Sequence, residues 1–292
     1  MSHGPQLMLN PDQWGLLHTR ASERLAERAE LEKETSEVKW TKWRRCMEAI
    51  EALRQKLERL RPDILLVVGD DQHENLLDDN MPPFTIFTGQ EVEASTSLRY
   101  LNQPKSENRA SYEVASKFAE TLLDGLMDEG FDPSYSRKTR YEGGLGHAFA
   151  RVLKFIMPAP CCRIVPVMVN TYYPPAPSAQ RCVHFGQALG SIIRRHPGEE
   201  RFMILGSGGL SHTKIDEKLD EHFLQALKTH NLESMSALPA SVLIEGTSEI
   251  RNWIITAAAA GRAGQVIDYQ PLYRTRTGVG CAMGFAYWET GS

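Results

Sequence analysis

Three short apolar runs constrain what this chain can fold into: Asp63-Ile-Leu-Leu-Val-Val-Gly69, Arg163-Ile-Val-Pro-Val-Met-Val169 and Phe202-Met-Ile-Leu205. Each is continuous rather than alternating and too short for an ordinary helix, the pattern of a strand buried on both faces. Each is followed by glycine or polar residues, and helical periodicity lies between them. Trp40, Trp43, Met47, Ile50, Leu53, Leu57 and Leu60 recur at helical intervals over Ser36 to Leu60, with Ser36 as a candidate cap and Pro62 as the stop. Further helices are expected at about 111–128, 178–195, 214–228 and 250–260, and closing strands at 265–269 and 280–288. Pro166 favours an edge or a bulge for its strand. The stretch 78–110 reads as a long irregular loop, of the kind that forms a lid or a partner surface. This alternation implies one α/β domain over residues 1–292, a mixed central sheet with helices on both faces and an active site at the strand carboxyl ends.

The bulk properties exclude several classes. A net charge of −4 spread through 292 residues is not the basic face of a nucleic-acid binder. No apolar run reaches the roughly 18 residues of a membrane span. The five cysteines show no CxxC spacing. With no signal-peptide pattern at the start, a reducing, cytoplasmic setting is expected. The Trp40/Trp43 helix and the 78–110 stretch offer surface for a homodimer.

Chemistry-bearing residues gather where the strands end. Asp71 and His73 follow the first run, and His147 follows a glycine-rich turn. His212 follows Gly206-Ser-Gly-Gly209, where the pattern reads as buried strand, glycine turn, exposed histidine and helix. Glu249 opens the helix that begins at Ile250, and His3 lies far upstream. Two histidines and a carboxylate suit mononuclear non-haem Fe(II), but zinc hydrolases use the same residue types. Residue types alone leave both the trio and the metal open. A serine hydrolase is disfavoured, because Gly206-Ser207-Gly208 lacks the spacing of a nucleophile elbow.

Ser2-His3-Gly4-Pro5, Gly69-Asp-Asp-Gln-His73, Gly146-His147, Gly206-Ser-Gly-Gly-Leu-Ser-His212, Ser248-Glu249-Ile-Arg-Asn-Trp253 and the tail Tyr273–Trp288 occur in a telling order. Together they resemble the class III extradiol ring-cleaving dioxygenases, in particular the catalytic β chain of protocatechuate 4,5-dioxygenase and single-chain relatives such as 3-O-methylgallate dioxygenase. The resemblance implies Fe(II) held by His3, His73 and Glu249. It implies His212 as the acid/base residue and His147 as the residue that holds the oxygen species or a substrate hydroxyl. It further implies O₂ and a catechol as substrates, the catechol of the carboxylated protocatechuate, gallate or 3-O-methylgallate type. Arg181, Arg251, Arg274 and Arg276 are possible partners for that carboxylate, set against ordinary structural roles, and Tyr172 and Tyr173 could face the site. The alternatives are zinc-dependent hydrolysis, DOPA-type ring cleavage on the same fold, or a non-enzymatic binding protein.

Overall fold

The structure, a computed structural model, describes residues 6–17, 25–97, 102–104 and 108–289; His3 and His18 lie outside them. Two 3₁₀ turns, Gln6–Met8 and Pro11–Leu16, lead towards helix α1 (Ser36–Leu60). Thr35, not Ser36, caps α1, its hydroxyl accepting from the Val38 amide, a contact worth about 1 kcal/mol. Arg61, in the left-handed region, ends the helix just before Pro62. Trp40 and Trp43 are half-buried and meet edge to face at 5.5 Å, while Cys46, Ala49, Ile50 and Leu57 form the fully buried stripe.

Strand β1 (Ile64–Asp70) is buried along its whole length. Ile64, Leu66 and Val68 point into one core, and Leu65 and Val67 into the other. The stretch expected as an irregular lid instead contains β2 (Phe84–Phe87), a member of the central sheet, and β3 (Glu91–Ser95), which pairs with β4 (Arg109–Glu113) as a separate antiparallel hairpin. Phe-Thr-Ile-Phe is only four residues long and hidden among polar neighbours, so it gives little periodic signal. Helix α2 therefore starts at Ser116 rather than 111 and runs to Asp128. Then come β5 (Ser134–Ser136) and α3 (His147–Ile156), a helix without a side-chain N-cap that the sequence did not announce.

Strand β6 (Arg163–Val169) is interior, contrary to what Pro166 suggested. It pairs with β1 along its length, but with β2 only over 167–169, so the missing N–H of Pro166 falls just beyond the last rung of the β2–β6 ladder. Helix α4 (Ala179–Arg195), capped by Ser178, leads to β7 (Phe202–Gly206). The sheet order is β5-β2-β6-β1-β7, with β6, β1 and β7 parallel and β2 antiparallel to β6. Strand β7 is thus an edge strand, half-buried rather than fully buried.

His212 opens β8 (His212–Lys214), and α5 (Glu217–Lys228) and the short α6 (Leu232–Ser236) follow, the latter inside a stretch that reads as a linker. Helix α7 (Ile250–Ala260) is apolar nearly all round and buried nearly all round. Strands β9 (Gln265–Tyr273) and β10 (Val279–Tyr287) pair with each other, and β10 pairs with β8; this three-stranded sheet is separate from the central one. Residues of α2, α4, α5 and α7 join the core on one face, while α1, α3 and the β3–β4 hairpin supply the other. The mixed α/β sheet with helices on both faces is as expected. No helix among the described residues is long and apolar enough to cross a membrane.

Candidate metal and proton-transfer site

The carboxyl ends of β1 and β7 and the start of α7 meet at one point. Asp70, the last residue of β1, is 0% exposed. Its Oδ1 accepts from Asn252 Nδ2 at 3.2 Å and its Oδ2 from Gln72 Nε2 at 2.9 Å. Gln72 Nε2 also reaches Glu249 Oε1 at 3.3 Å, so one amide joins the two carboxylates. Glu249 ends the 3₁₀ turn Glu245–Glu249 and stands as the N-cap of α7, where the helix dipole favours its charge. The Gly209 amide donates to Glu249 Oε2 at 3.1 Å. Gly208 has φ +110°, and a Cβ there would sit 2.8 Å from Glu249 Oε2. The glycine turn after β7 is therefore shaped around this carboxylate.

His212 belongs to the same cluster. Its Nε2 lies 3.2 Å from Glu249 Oε1 and its Nδ1 2.9 Å from the Leu210 carbonyl. The Thr247 hydroxyl bridges its backbone, accepting from the His212 amide and donating to its carbonyl, both at 3.1 Å. The ring was expected to be exposed, but His212 is only 2% exposed, because the Glu245–Glu249 turn closes over it. Burial opposes charging of the ring, yet Glu249 and Cys281 together, by charge and hydrogen bonding, hold His212 well above its ordinary pKa. In return, burial acts upward on Glu249, but His212, His147 and the Gly209 amide together hold the carboxyl below its usual range.

His147, the first residue of α3, is oriented by Glu74. Glu74 Oε1 accepts from the His147 amide at 2.8 Å and lies 2.9 Å from its Nδ1. Burial alone would lower the ring's pKa; Glu74 raises it above the ordinary value. Asp70, His147 and Glu249 each bring a ligand-type atom within 4.8 Å of the others. Burial pushes the Asp70 carboxyl up to about 7, and the Glu249 charge adds to the rise. Asn252 Oδ1, beside this group, is buried and accepts no hydrogen bond among the described residues. Two carboxylates and an imidazole, buried or nearly so, with an unsatisfied amide oxygen on the neighbouring Asn252, form a donor set that suits a divalent cation.

The other candidates from the sequence fall in different places. His73, with φ +59°, stacks on Tyr173 at 3.6 Å and turns Nε2 to Asp78 Oδ1 at 3.1 Å; its side chain is 34% exposed. It is not part of the Asp70–His147–Glu249 group. Asp71 caps its own loop, accepting from the amides of Glu74, Asn75 and Leu76. Tyr172 comes close enough for the charges of His212, Glu245 and Glu249 to act on its hydroxyl, which burial pushes up to about 12. The four arginines are occupied elsewhere. Arg251 is buried and donates to the carbonyls of Thr171, Pro177 and Leu243, and Arg181 lies over the Phe131 ring. Arg274 donates to the Leu17 carbonyl, and Arg276 faces Glu27. His196 is half-buried between Phe118 and Phe202, while His184 and His222 are exposed.

Residues 27–284 match the family model described as the catalytic LigB subunit of aromatic ring-opening dioxygenase. The chain belongs to this family. Similar curated proteins include a 2,3-dihydroxyphenylpropionate/2,3-dihydroxicinnamic acid 1,2-dioxygenase of Pseudomonas putida, 26% identical over 213 residues, which are 70% of this chain and 63% of that protein. The Comamonas testosteroni enzyme of that name is 30% identical over 169 residues, 56% of this chain and 47% of its own length. One from Escherichia coli is 28% identical over 196 residues, 66% and 56% of the two lengths. The LigB-family chain thus spans between about half and just under two thirds of the curated relatives it matches. A crystal structure of an uncharacterised Escherichia coli K12 protein is similar with a TM-score of 0.51 at 14% identity, covering 80% of this chain and 89% of that one; this likeness is one of fold.

Proposed function

We propose that this LigB-family chain cleaves the ring of a carboxylated catechol with O₂, in the extradiol manner and with Fe(II). The observation that carries the reading is the joining of Asp70, His147 and Glu249 at the strand carboxyl ends, with His212 hydrogen-bonded to Glu249. When bound, Fe(II) would take both catechol oxygens, lower the pKa of one hydroxyl and bring O₂ beside the ring.

The chain's own residues have separable parts in this reading. Glu249 serves as a metal ligand, its second oxygen fixed by the Gly209 amide. His212 keeps its Nδ1 on the Leu210 carbonyl, so Nε2 is the nitrogen that exchanges a proton with the substrate. His147 spends Nδ1 on Glu74 and presents Nε2 to the metal or to a substrate hydroxyl. Asp70 completes the donor set, positioned by Gln72 and Asn252.

The resemblance gives His3, His73 and Glu249 as ligands, whereas the geometry groups Asp70, His147 and Glu249. Glu249 is common to both. Anaerobic Fe(II) loading followed by metal analysis of Glu249→Ala, Asp70→Asn and His73→Ala separates the two sets. Loss in Glu249→Ala and Asp70→Asn supports the grouped set, and loss in Glu249→Ala and His73→Ala supports the other. Oxygen uptake by the loaded parent over a panel of catechols then tests the reaction; no uptake with any of them defeats the reading.

A further inference from the structure

Three sulfur atoms meet at the far end of helix α3, outside the site described above. Met157 is the C-cap of α3 and is 1% exposed. The Cys162 thiol donates to its Sδ at 3.6 Å. Cys161 is exposed, and its thiol is near enough to that of Cys162 to hydrogen-bond with it; both cysteines are free. Pro158 and Pro160 lie between Met157 and the cysteines. They fix two φ angles of the connecting loop, so less chain entropy is left to lose when the sulfurs close round an ion. Strand β6 begins at the next residue, Arg163, and its other end, Val169, pairs with Asp70. The sulfurs and Asp70 therefore lie at opposite ends of the sheet, roughly 20 Å apart at about 3.3 Å per residue.

We propose that Met157, Cys161 and Cys162 bind one soft metal ion of the Cu(I) class, independently of the Asp70–His147–Glu249 group. The 3.6 Å between Cys162 Sγ and Met157 Sδ is a span that one ion bridges with two metal–sulfur bonds of about 2.3 Å. Thiolate and thioether donors together favour a soft ion over the harder divalent cations. Zinc is disfavoured, because a structural zinc site closes with four donors and these are three. Asp63, whose charge acts on Cys162, is no fourth donor, since both its oxygens accept from Arg201. Binding exchanges protons for metal: Cu⁺ and two thiols give a bis-thiolate centre of charge −1 and two H⁺, with the thioether as a neutral third donor and no change of oxidation state. Burial and the neighbouring Cys161 push the Cys162 thiol up to about 12, so the affinity rises with pH through the neutral range. A second sulfur pair, Cys281 and Met283 at 3.5 Å, offers one thiol only and sits beside His212.

The test titrates the full chain with Cu(I) under argon in competition with bicinchoninate. The parent should retain one Cu(I), and X-ray absorption at the copper edge should show sulfur neighbours alone. Cys161→Ser/Cys162→Ser should lose that ion. Met157→Leu, which keeps the volume of the side chain, should bind it at least the roughly 10-fold more weakly that loss of an outer-shell partner costs a metal site. Thermal melts near parental would show that both variants fold. Alkylation of the unaltered chain by iodoacetamide gives a readout without substitution: Cu(I) should protect Cys161. No ion retained by the parent, nitrogen or oxygen neighbours at the edge, or equal binding by the double variant overturns the proposal. So do unprotected Cys161 and an unchanged affinity in Met157→Leu, which would remove the thioether from the site.

Discussion

His212 Nε2 and Glu249 Oε1 lie 3.2 Å apart in a pocket that leaves the two residues 2% and 4% exposed. The same carboxylate is the one shared by both candidate ligand sets. A cation on Glu249 would compete for the charge that now holds His212 protonated, so metal binding and the protonation of His212 are linked through one side chain.

His212→Gln tests the proton role. Glutamine can reach the Nε2 position and still donate to Glu249, but it does not titrate. Turnover should fall roughly 10²–10⁴-fold with metal content near parental. Metal analysis and oxygen uptake on one preparation check this. Loss of metal would make His212 a ligand, and an unchanged rate would make it a bystander.

Asp70→Asn should separate stability from metal binding. In the metal-free protein the Asp70 carboxyl is raised to about 7 by burial and by Glu249. A raised folded value means that its contribution to stability is fully present below the unfolded pKa, about 4, and is lost as pH rises through about 7. The metal-free parent should therefore lose stability over that window, on the order of a few kcal/mol, and Asp70→Asn should lack that part of the slope. Urea midpoints from pH 4.5 to 8 would show it. Parallel curves for the two proteins would contradict the argument.

Asp220 supports the site from beneath. Its carboxylate accepts from the Ser211 amide and hydroxyl at 2.8 and 2.7 Å and from the Tyr269 hydroxyl at 2.7 Å, and the residue is fully buried. Asp220→Ala strands three donors next to His212. A loss of roughly 2–4 kcal/mol is expected, with a smaller one for Asp220→Asn, which keeps an acceptor. Denaturant unfolding of both variants decides it; equal losses would mean that shape rather than hydrogen bonding matters there.

Gly246→Ala would place a methyl group 2.0 Å from His212 Cδ2. The His212 backbone is tied to Thr247, so the ring cannot follow a simple shift. A cost of about 1–3 kcal/mol from overpacking is expected, with turnover falling at least tenfold and metal retained. A variant of parental activity would show that the turn yields more readily than the ring.

The apolar runs at 64–68, 163–169 and 202–205 are legible in the sequence as buried strands, and so is the gathering of the glycine turn, His212 and Glu249 at one candidate site. Strand β2 was not legible, because a four-residue strand carries two apolar alternations at most and sits in a polar stretch. Asp70 is less conspicuous in the sequence than Asp71 and His73, since it closes an apolar run. The signal was present in parity: Ile64, Leu66 and Val68 face the core that includes α7, and the next residue of that parity is Asp70. His73 was legible as a histidine after a strand, but not its left-handed backbone or its stack on Tyr173, a residue a hundred positions away. Glu74 and Asn252 are long-range partners that no local pattern announces.

Strand β7 closes the central sheet on one side only: β1 ladders its inner edge, and no strand among the described residues takes the outer one. Amides along β7 should consequently alternate between slow and fast hydrogen exchange, and the strand as a whole should open at lower free energy than β1. Ser207, Gly208 and Gly209 ride on its end, with Glu249 hydrogen-bonded to the last of them. The donor set is thus assembled between the best protected strand of the sheet and one of the least protected. A bound cation that bridges Asp70 and Glu249 would then act as a clasp on that edge, slowing exchange in β7 well before it changes exchange in β1.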